Sequence, residues 1–263
     1  MAVAGYVWKL SRDAEGCRAV QNALEGAGSD QARAVLAAEL RGHIWEALRC
    51  PHANYVLQKC ITTMRPQASQ FIIDELQRRG PGAATQAARH RFGCRILERL
   101  LEHCLPSQVR GLVEALVGDA VSLASHPYGN YVVQHILEHG APDQQARLAG
   151  LFADHVLMLG SDSYASAVVA KALTHGSQEG RVGLAQALLK APGLLPAMAH
   201  TRHGHVAAKF VLQLVEEDSV YREAARRELE ADISSLRASR YGRFVASFFD
   251  QAPSACGGRP EAP

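Results

Sequence analysis

The chain has no run of 18 or more apolar residues, so nothing in it reads as a membrane-spanning helix. Its first residues, Met1 to Tyr6, lack a charged start followed by an apolar stretch, and no signal peptide is expected there. No two of its 6 cysteines stand in a C-x-x-C, and they lie far apart, which points to reduced thiols in cytoplasm or nucleus. An excess of charge is also missing. Lys and Arg total 28 against 26 Asp and Glu, so any basic footprint must come from placement. The H-E-x-x-H signature is absent around His135 and His139, and His200, His203 and His205 have no Cys or carboxylate beside them. Gly26, Gly28, Gly80 and Gly82 lie outside any strand-to-helix context that would cradle a phosphate. No catalytic residue, metal or cofactor is therefore expected. Sustained strict alternation is lacking too, which excludes a strand-built fold.

What the chain does have is repetition. The segment His126-Pro127-Tyr128-Gly129-Asn130-Tyr131-Val132-Val133-Gln134-His135-Ile136-Leu137-Glu138-His139-Gly140 returns along its length. Pro51–Ile61, Arg91–Cys104 and Glu15–Gln21 match it, and weaker copies begin near Tyr164, His203 and Tyr241. Equivalent positions are Cys17, Asn54, Cys94, Asn130, Ser166, His205 and Arg243, spaced by 37, 40, 36, 36, 39 and 38 residues. A period in that range means a solenoid, in which no unit buries its apolar face alone. In the Asn130 copy, Val132, Val133, Ile136 and Leu137 share one helical face, while Asn130, Tyr131 and Gln134 share another. Gln108–Val117 and Gln144–Phe152 are further helical stretches, with Pro106 and Pro142 placed at their starts. Gly80, Gly140 and Gly176 stand where helices should stop. Each unit is thus two main helices plus a turn or short helix. The expectation is an all-α solenoid, a curved superhelix over residues 1–250, with residues 251–263, rich in proline and glycine, disordered.

The first, second and fifth positions of each copy are expected to point outward together. They are Cys17/Arg18/Gln21, Asn54/Tyr55/Gln58, Cys94/Arg95/Glu98, Asn130/Tyr131/Gln134, Ser166/Ala167/Ala170, His205/Val206/Lys209 and Arg243/Phe244/Ser247. In the first four the middle residue is flat and can stack on a nucleobase. The outer residues offer defined donors and acceptors. Asn with Gln suits the uracil edge, an ionised Glu suits the paired donors of guanine, and Cys with Gln suits adenine. Lys59, Arg99, Lys171, Lys209, Arg240 and Arg243 lie on or beside the same helices, where they could approach phosphate.

The frame Tyr128–Gly140 resembles a repeat of the Pumilio/PUF family, and the resemblance spans roughly residues 10–250. It implies a PUF-type helical solenoid that binds single-stranded RNA, one base per triplet, with C-terminal repeats on the 5′ side. Carried over triplet by triplet, Asn130/Gln134, Cys94/Glu98, Asn54/Gln58 and Cys17/Gln21 imply U, G, U and A. That order is a UGUA core. The Ser166/Ala170 and His205/Lys209 pairs depart from the family pattern, and the copies number seven rather than eight plus caps. The implied role is messenger RNA regulation in the cytoplasm, through a 3′ untranslated region, by a monomer with protein co-regulators. Two alternatives stand beside it. One is low-specificity RNA binding in ribosome assembly, which would be nucleolar. The other is a protein-binding helical scaffold.

Overall fold

The computed structural model describes residues 3–216 and 218–251. One rhythm repeats along it: a short helix, a middle helix and a third helix. The first copy is α1 (Val7–Ser11), α2 (Ala14–Gly26) and α3 (Asp30–Ala38). The second is α4 (Ile44–Arg49), α5 (Ala53–Thr63) and α6 (Gln70–Arg78), with a 3₁₀ turn at Pro66–Ser69. The third is α7 (Ala83–Ala88), α8 (Gly93–His103) and α9 (Pro106–Gly118). The fourth is α10 (Ala120–Ala124), α11 (Gly129–His139) and α12 (Pro142–Asp154). The fifth is α13 (Val156–Ser161), α14 (Ala165–Thr174) and α15 (Gln178–Leu189). The sixth is α16 (Leu194–Ala199), α17 (Gly204–Leu214) and α18 (Ser219–Ala231), and the last has α19 (Ile233–Ala238) and α20 (Gly242–Gln251). No strand occurs among the described residues. Each full copy therefore holds three helices. The expected tail, residues 251–263, lies outside the described residues apart from Gln251.

The chain divides into two compact units, Met1–Leu148 and Ala149–Pro263. In the first, the middle helices pack in sequence order: α2 on α5, α5 on α8, α8 on α11. The third helices α6 and α9 pack against each other behind them. In the second, α14 packs on α17 and α17 on α20, with α15 against α18 and α13 against α16. The sequence dictates this stacking. Along α8, Ile96, Leu97 and Leu100 are buried while Arg95 and Glu102 face out, because positions three and four apart share a helical face. Full burial of each such side chain contributes about 1.5–3 kcal/mol, and only a neighbouring repeat can supply the cover.

Punctuation follows the sequence as well. Pro106 opens α9, where its missing N–H costs nothing. Gly80 and Gly176 follow α6 and α14 with φ of +104° and +127°, a conformation that suits glycine. Third helices tie off the middle ones. Arg33 donates from Nε to the Leu24 carbonyl, Gln145 from Nε2 to Leu137, and Arg181 from Nε to Leu173. Orphan carbonyls at three helix ends are thereby satisfied.

A closer approach sets the angle between short and middle helices. A Cβ added to Gly93 would meet the Ala87 carbonyl oxygen at 2.4 Å, and one added to Gly204 would meet that of Met198 at 2.5 Å. At the equivalent residues Gly16, Gly129 and Gly242 the matching carbonyl oxygen would stand at 2.4, 3.0 and 2.7 Å. Ala53 and Ala165 take this place in the other two copies.

Candidate nucleic-acid interface

In the first five copies the first-position side chains do not point outward, contrary to expectation. Asn54 and Asn130 are 1% and 3% exposed, and Cys17, Cys94 and Ser166 are buried too. The physical reason is local. Each side chain folds back onto carbonyls of the turn before its helix. Asn54 Nδ2 donates to the carbonyls of Cys50 at 2.8 Å and Pro51 at 3.0 Å. Asn130 does the same with His126 and Pro127, and Ser166 Oγ donates to Asp162 at 2.6 Å. The thiols of Cys17 and Cys94 reach Ala14 and Arg91. Burial raises the Cys94 thiol pKa above its usual value, with Glu98 adding to the shift, so this sulfur stays a neutral surface.

Second-position groups are the exposed ones in the first unit. Tyr55 and Tyr131 are 53% and 47% exposed, and Arg18 and Arg95 are open as well. Fifth-position groups lie between. Gln58 Nε2 donates to Asn54 Oδ1 at 3.1 Å, and Gln134 to Asn130 Oδ1 at 3.0 Å. Gln21 Nε2 reaches the Cys17 carbonyl at 3.2 Å. Each glutamine is thus oriented by the residue four before it and keeps its carbonyl oxygen and one N–H to offer.

Glu98 differs from these three. It is 7% exposed, its Oε2 accepts from Arg95 Nη1 at 2.9 Å, and its Oε1 is buried with no hydrogen-bond partner. The bond to Glu98 raises the Arg95 pKa above its already high value. Arg95 also lies over the Tyr131 ring, 5.3 Å from its centroid. Neighbouring stackers of the third and fourth copies therefore touch one another.

The remaining copies present less. Ala167 and Val206 are partly covered and Ala170 is buried. The His205 ring stacks on Tyr241 at 5.4 Å, lies tilted against Phe244, and sits 3.1 Å from the Thr201 carbonyl. Arg243 is exposed, with Nε donating to the Arg240 carbonyl, and its guanidinium sits over Phe244. Lys209 is partly covered. Of the cations expected near phosphate, Lys59 pairs with Glu25 and Arg99 with Glu102. Arg240 lies over the Tyr241 ring.

One recurring set escaped the sequence reading. Four residues before each first position stands a side chain that accepts from N–H groups at the start of the middle helix. Asp13 accepts from Glu15 and Gly16, His90 Nδ1 from Phe92 and Gly93, His126 Nδ1 from Tyr128 and Gly129, and Asp162 from Tyr164 and Ala165. Cys50 Sγ, Thr201 Oγ1 and Ser239 Oγ accept from Ala53, Gly204 and Gly242. Each satisfies donors that a helix start leaves orphaned. The signal was present in the sequence as an acceptor at one fixed register, masked by its chemical variety. Partial burial lowers the His90 and His126 pKa values, with Arg49 and Arg91 adding to the first and Arg89 to the second, which keeps both rings neutral as acceptors. Among the described residues no cluster of His, Cys, Asp or Glu could hold a metal ion, and no helix is long and apolar enough to cross a membrane.

A stack of three-helix repeats bearing such triplets defines a class of helical-repeat proteins. Residues 6–41, 49–77, 86–117 and 119–150 match the family described as the Pumilio-family RNA binding repeat. A Pumilio domain-containing protein of Schizosaccharomyces pombe, C6G9.14, is 27% identical over 113 residues, which cover 43% of this chain and 16% of that protein. The putative pumilio homolog 8 of Arabidopsis thaliana is 30% identical over 102 residues, 37% of this chain and 19% of its own. The matched segments thus span under a fifth of these relatives' lengths. The solved structure of PUF-8 in complex with PBE-RNA has the same fold, with a TM-score of 0.82 at 23% identity over 95% of this chain and 72% of that one. The chain belongs to the Pumilio/PUF family, and its fold is the all-α solenoid of PUF repeats.

Proposed function

We propose that the chain binds single-stranded RNA across the middle helices of its first unit and reads a UGUA-like core there. The observation that carries this reading is the ordered series on α2, α5, α8 and α11. Each helix presents an exposed flat group beside a buried, hydrogen-bonded anchor and an oriented polar group. Flat groups supply stacking of about 1–3 kcal/mol per base, whichever base is present. The oriented groups supply identity. Gln134 and Gln58 offer one acceptor and one donor to a uracil edge, Glu98 offers only acceptors to guanine, and Gln21 beside the Cys17 thiol suits adenine.

Glu98 and Arg95 fit a site completed by its ligand. A buried carboxylate oxygen without a donor costs about 1–3 kcal/mol, and the adjacent N–H groups of guanine would relieve it. A base between Arg95 and Tyr131 needs about 3.5–4 Å on each side, roughly 7–8 Å in all. The 5.3 Å separation means that Arg95 swings out by about 2 Å as the base enters.

The role that follows is regulation of a messenger RNA through its 3′ untranslated region, with protein co-regulators recruited to the bound monomer in the cytoplasm. The solved PUF-8 complex with PBE-RNA supports an RNA ligand by likeness of fold. Low-specificity binding, as in ribosome assembly, is the second reading. It is favoured by the second unit, where Ala170 offers no edge group and His205 is engaged by Tyr241. Selection from a random RNA pool at near-physiological salt tests both. Enrichment of UGUA supports the first reading, and retention without a motif moves the assignment to the second.

A further inference from the structure

The two tryptophans of the chain, 37 residues apart in sequence, line one open cleft of about 730 Å³. Its walls come from the short helices and the turns beside them: Trp8 and Arg12 of the first copy, His43, Trp45 and Arg49 of the second, and His90 of the third. Trp8 and His43 stack in parallel at 4.5 Å. Arg12 lies over Trp8, and Arg49 and Arg79 lie over Trp45 at 5.9 and 4.3 Å. None of these three guanidiniums forms an ion pair among the described residues. By contrast, Lys59, Arg95 and Arg99, on the middle helices, are each paired with a carboxylate.

A guanidinium resting on an indole keeps its in-plane N–H donors free, and its long side chain is already partly ordered. Such donors suit phosphate oxygens, and the aromatic side chains of the cleft, which are only partly buried, suit a base. The cleft adjoins the triplets, because Cys50 and His90, which line it, also cap α5 and α8. One carboxylate, Glu46, stands on its wall.

We infer that this cleft is a second RNA-contacting surface, which holds the phosphodiester backbone and a stacked base of single-stranded RNA flanking the segment read by the triplets. The inference rests on the RNA-binding reading above and extends its footprint from the middle helices to the short-helix edge. Recognition here is by charge and stacking and carries no sequence preference.

The test uses the full chain and two RNAs, one limited to the UGUA core and one extended on both sides by oligouridine. Both tryptophans report on the cleft, so the extended RNA is expected to quench their emission and the core RNA to leave it unchanged. Replacing Arg12→Gln, Arg49→Gln and Arg79→Gln together is expected to weaken extended RNA on the order of tenfold and to flatten its salt dependence by a slope of about 2. Affinity for the core RNA should not change. Should the triple variant melt early, the quenching difference in the unsubstituted chain still decides the matter. Equal affinity and equal emission with both RNAs overturn the inference and leave the triplet reading standing. Extended RNA bound equally well in scrambled sequence, yet lost in the variant, keeps the cleft and removes the triplet code. Binding of neither RNA overturns both, and quenching by a glutamate-rich peptide alone assigns the cleft to a protein partner and overturns it as well.

Discussion

Replacing Glu98 by Gln should act in opposite directions on stability and on specificity. In the free chain Glu98 is buried with Oε1 unpartnered, at a cost of about 1–3 kcal/mol. Its pair with the half-exposed Arg95 returns about 0.3–0.5 kcal/mol, the usual value for such a helix pair. The first copy shows what Gln does in this setting. There the same Cys/Arg/Gln triplet lets Gln21 Nε2 donate to the Cys17 carbonyl at 3.2 Å. Glu98→Gln can make the equivalent bond to Cys94, so the variant should be more stable by roughly 1–2 kcal/mol, a melting rise of about 2–6 °C. Guanine preference at that base should give way to adenine, with about 1–3 kcal/mol, or 5- to 150-fold, at stake. Circular dichroism melting and fluorescence anisotropy with UGUA and UAUA RNAs measure the two effects. A variant that melts earlier refutes the account of the orphaned oxygen. Unchanged preference for UGUA removes Glu98 from the code.

Other residues give sharper controls. Tyr131→Ala should weaken UGUA and scrambled RNA alike, by about 1–3 kcal/mol, since stacking ignores base identity; loss confined to one sequence in a filter-binding assay contradicts that role. Gly93→Ala places a Cβ 2.4 Å from the Ala87 carbonyl and should destabilise by about 1–3 kcal/mol in urea titration, the usual range for overpacking. A change within error at Gly93 would mean that the short helix yields freely. His90 and His126 accept backbone N–H groups through Nδ1 only while neutral, and their folded pKa values lie below the unfolded 6.5. The unfolded chain therefore binds protons first, so their caps hold fully above about pH 6.5 and are lost as pH falls through the lowered folded values. His126→Asp, which copies the cap of Asp162, should shrink the drop in urea midpoint between neutral and mildly acid pH; an unaltered drop places that sensitivity elsewhere.

Much of this protein is determined by local sequence. Recurrence of Cys17, Asn54, Cys94 and Asn130 at near-constant spacing sets the repeat, and apolar residues such as Val132, Val133, Ile136 and Leu137 set the helix, because helical periodicity is a property of a few consecutive residues. Proline and glycine at Pro106, Gly80 and Gly176 mark helix ends for equally local reasons. The register of each triplet, and hence which side chains compete for a base, follows from the same count.

Exposure and partnership depend instead on residues a whole repeat away. Asn54 and Asn130 look like surface amides, yet a turn fold and a neighbouring helix bury them as anchors. Arg95 reaches Tyr131 across the α8–α11 contact, and only that packing shows the gap a base must open. Trp8 and Trp45 belong to different copies, and the packing of short helices sets both on the wall of one cleft, under guanidiniums that form no ion pair among the described residues. Sequence decides what each repeat carries, and tertiary packing decides which of those groups it covers, because burial in a solenoid is supplied by the next repeat.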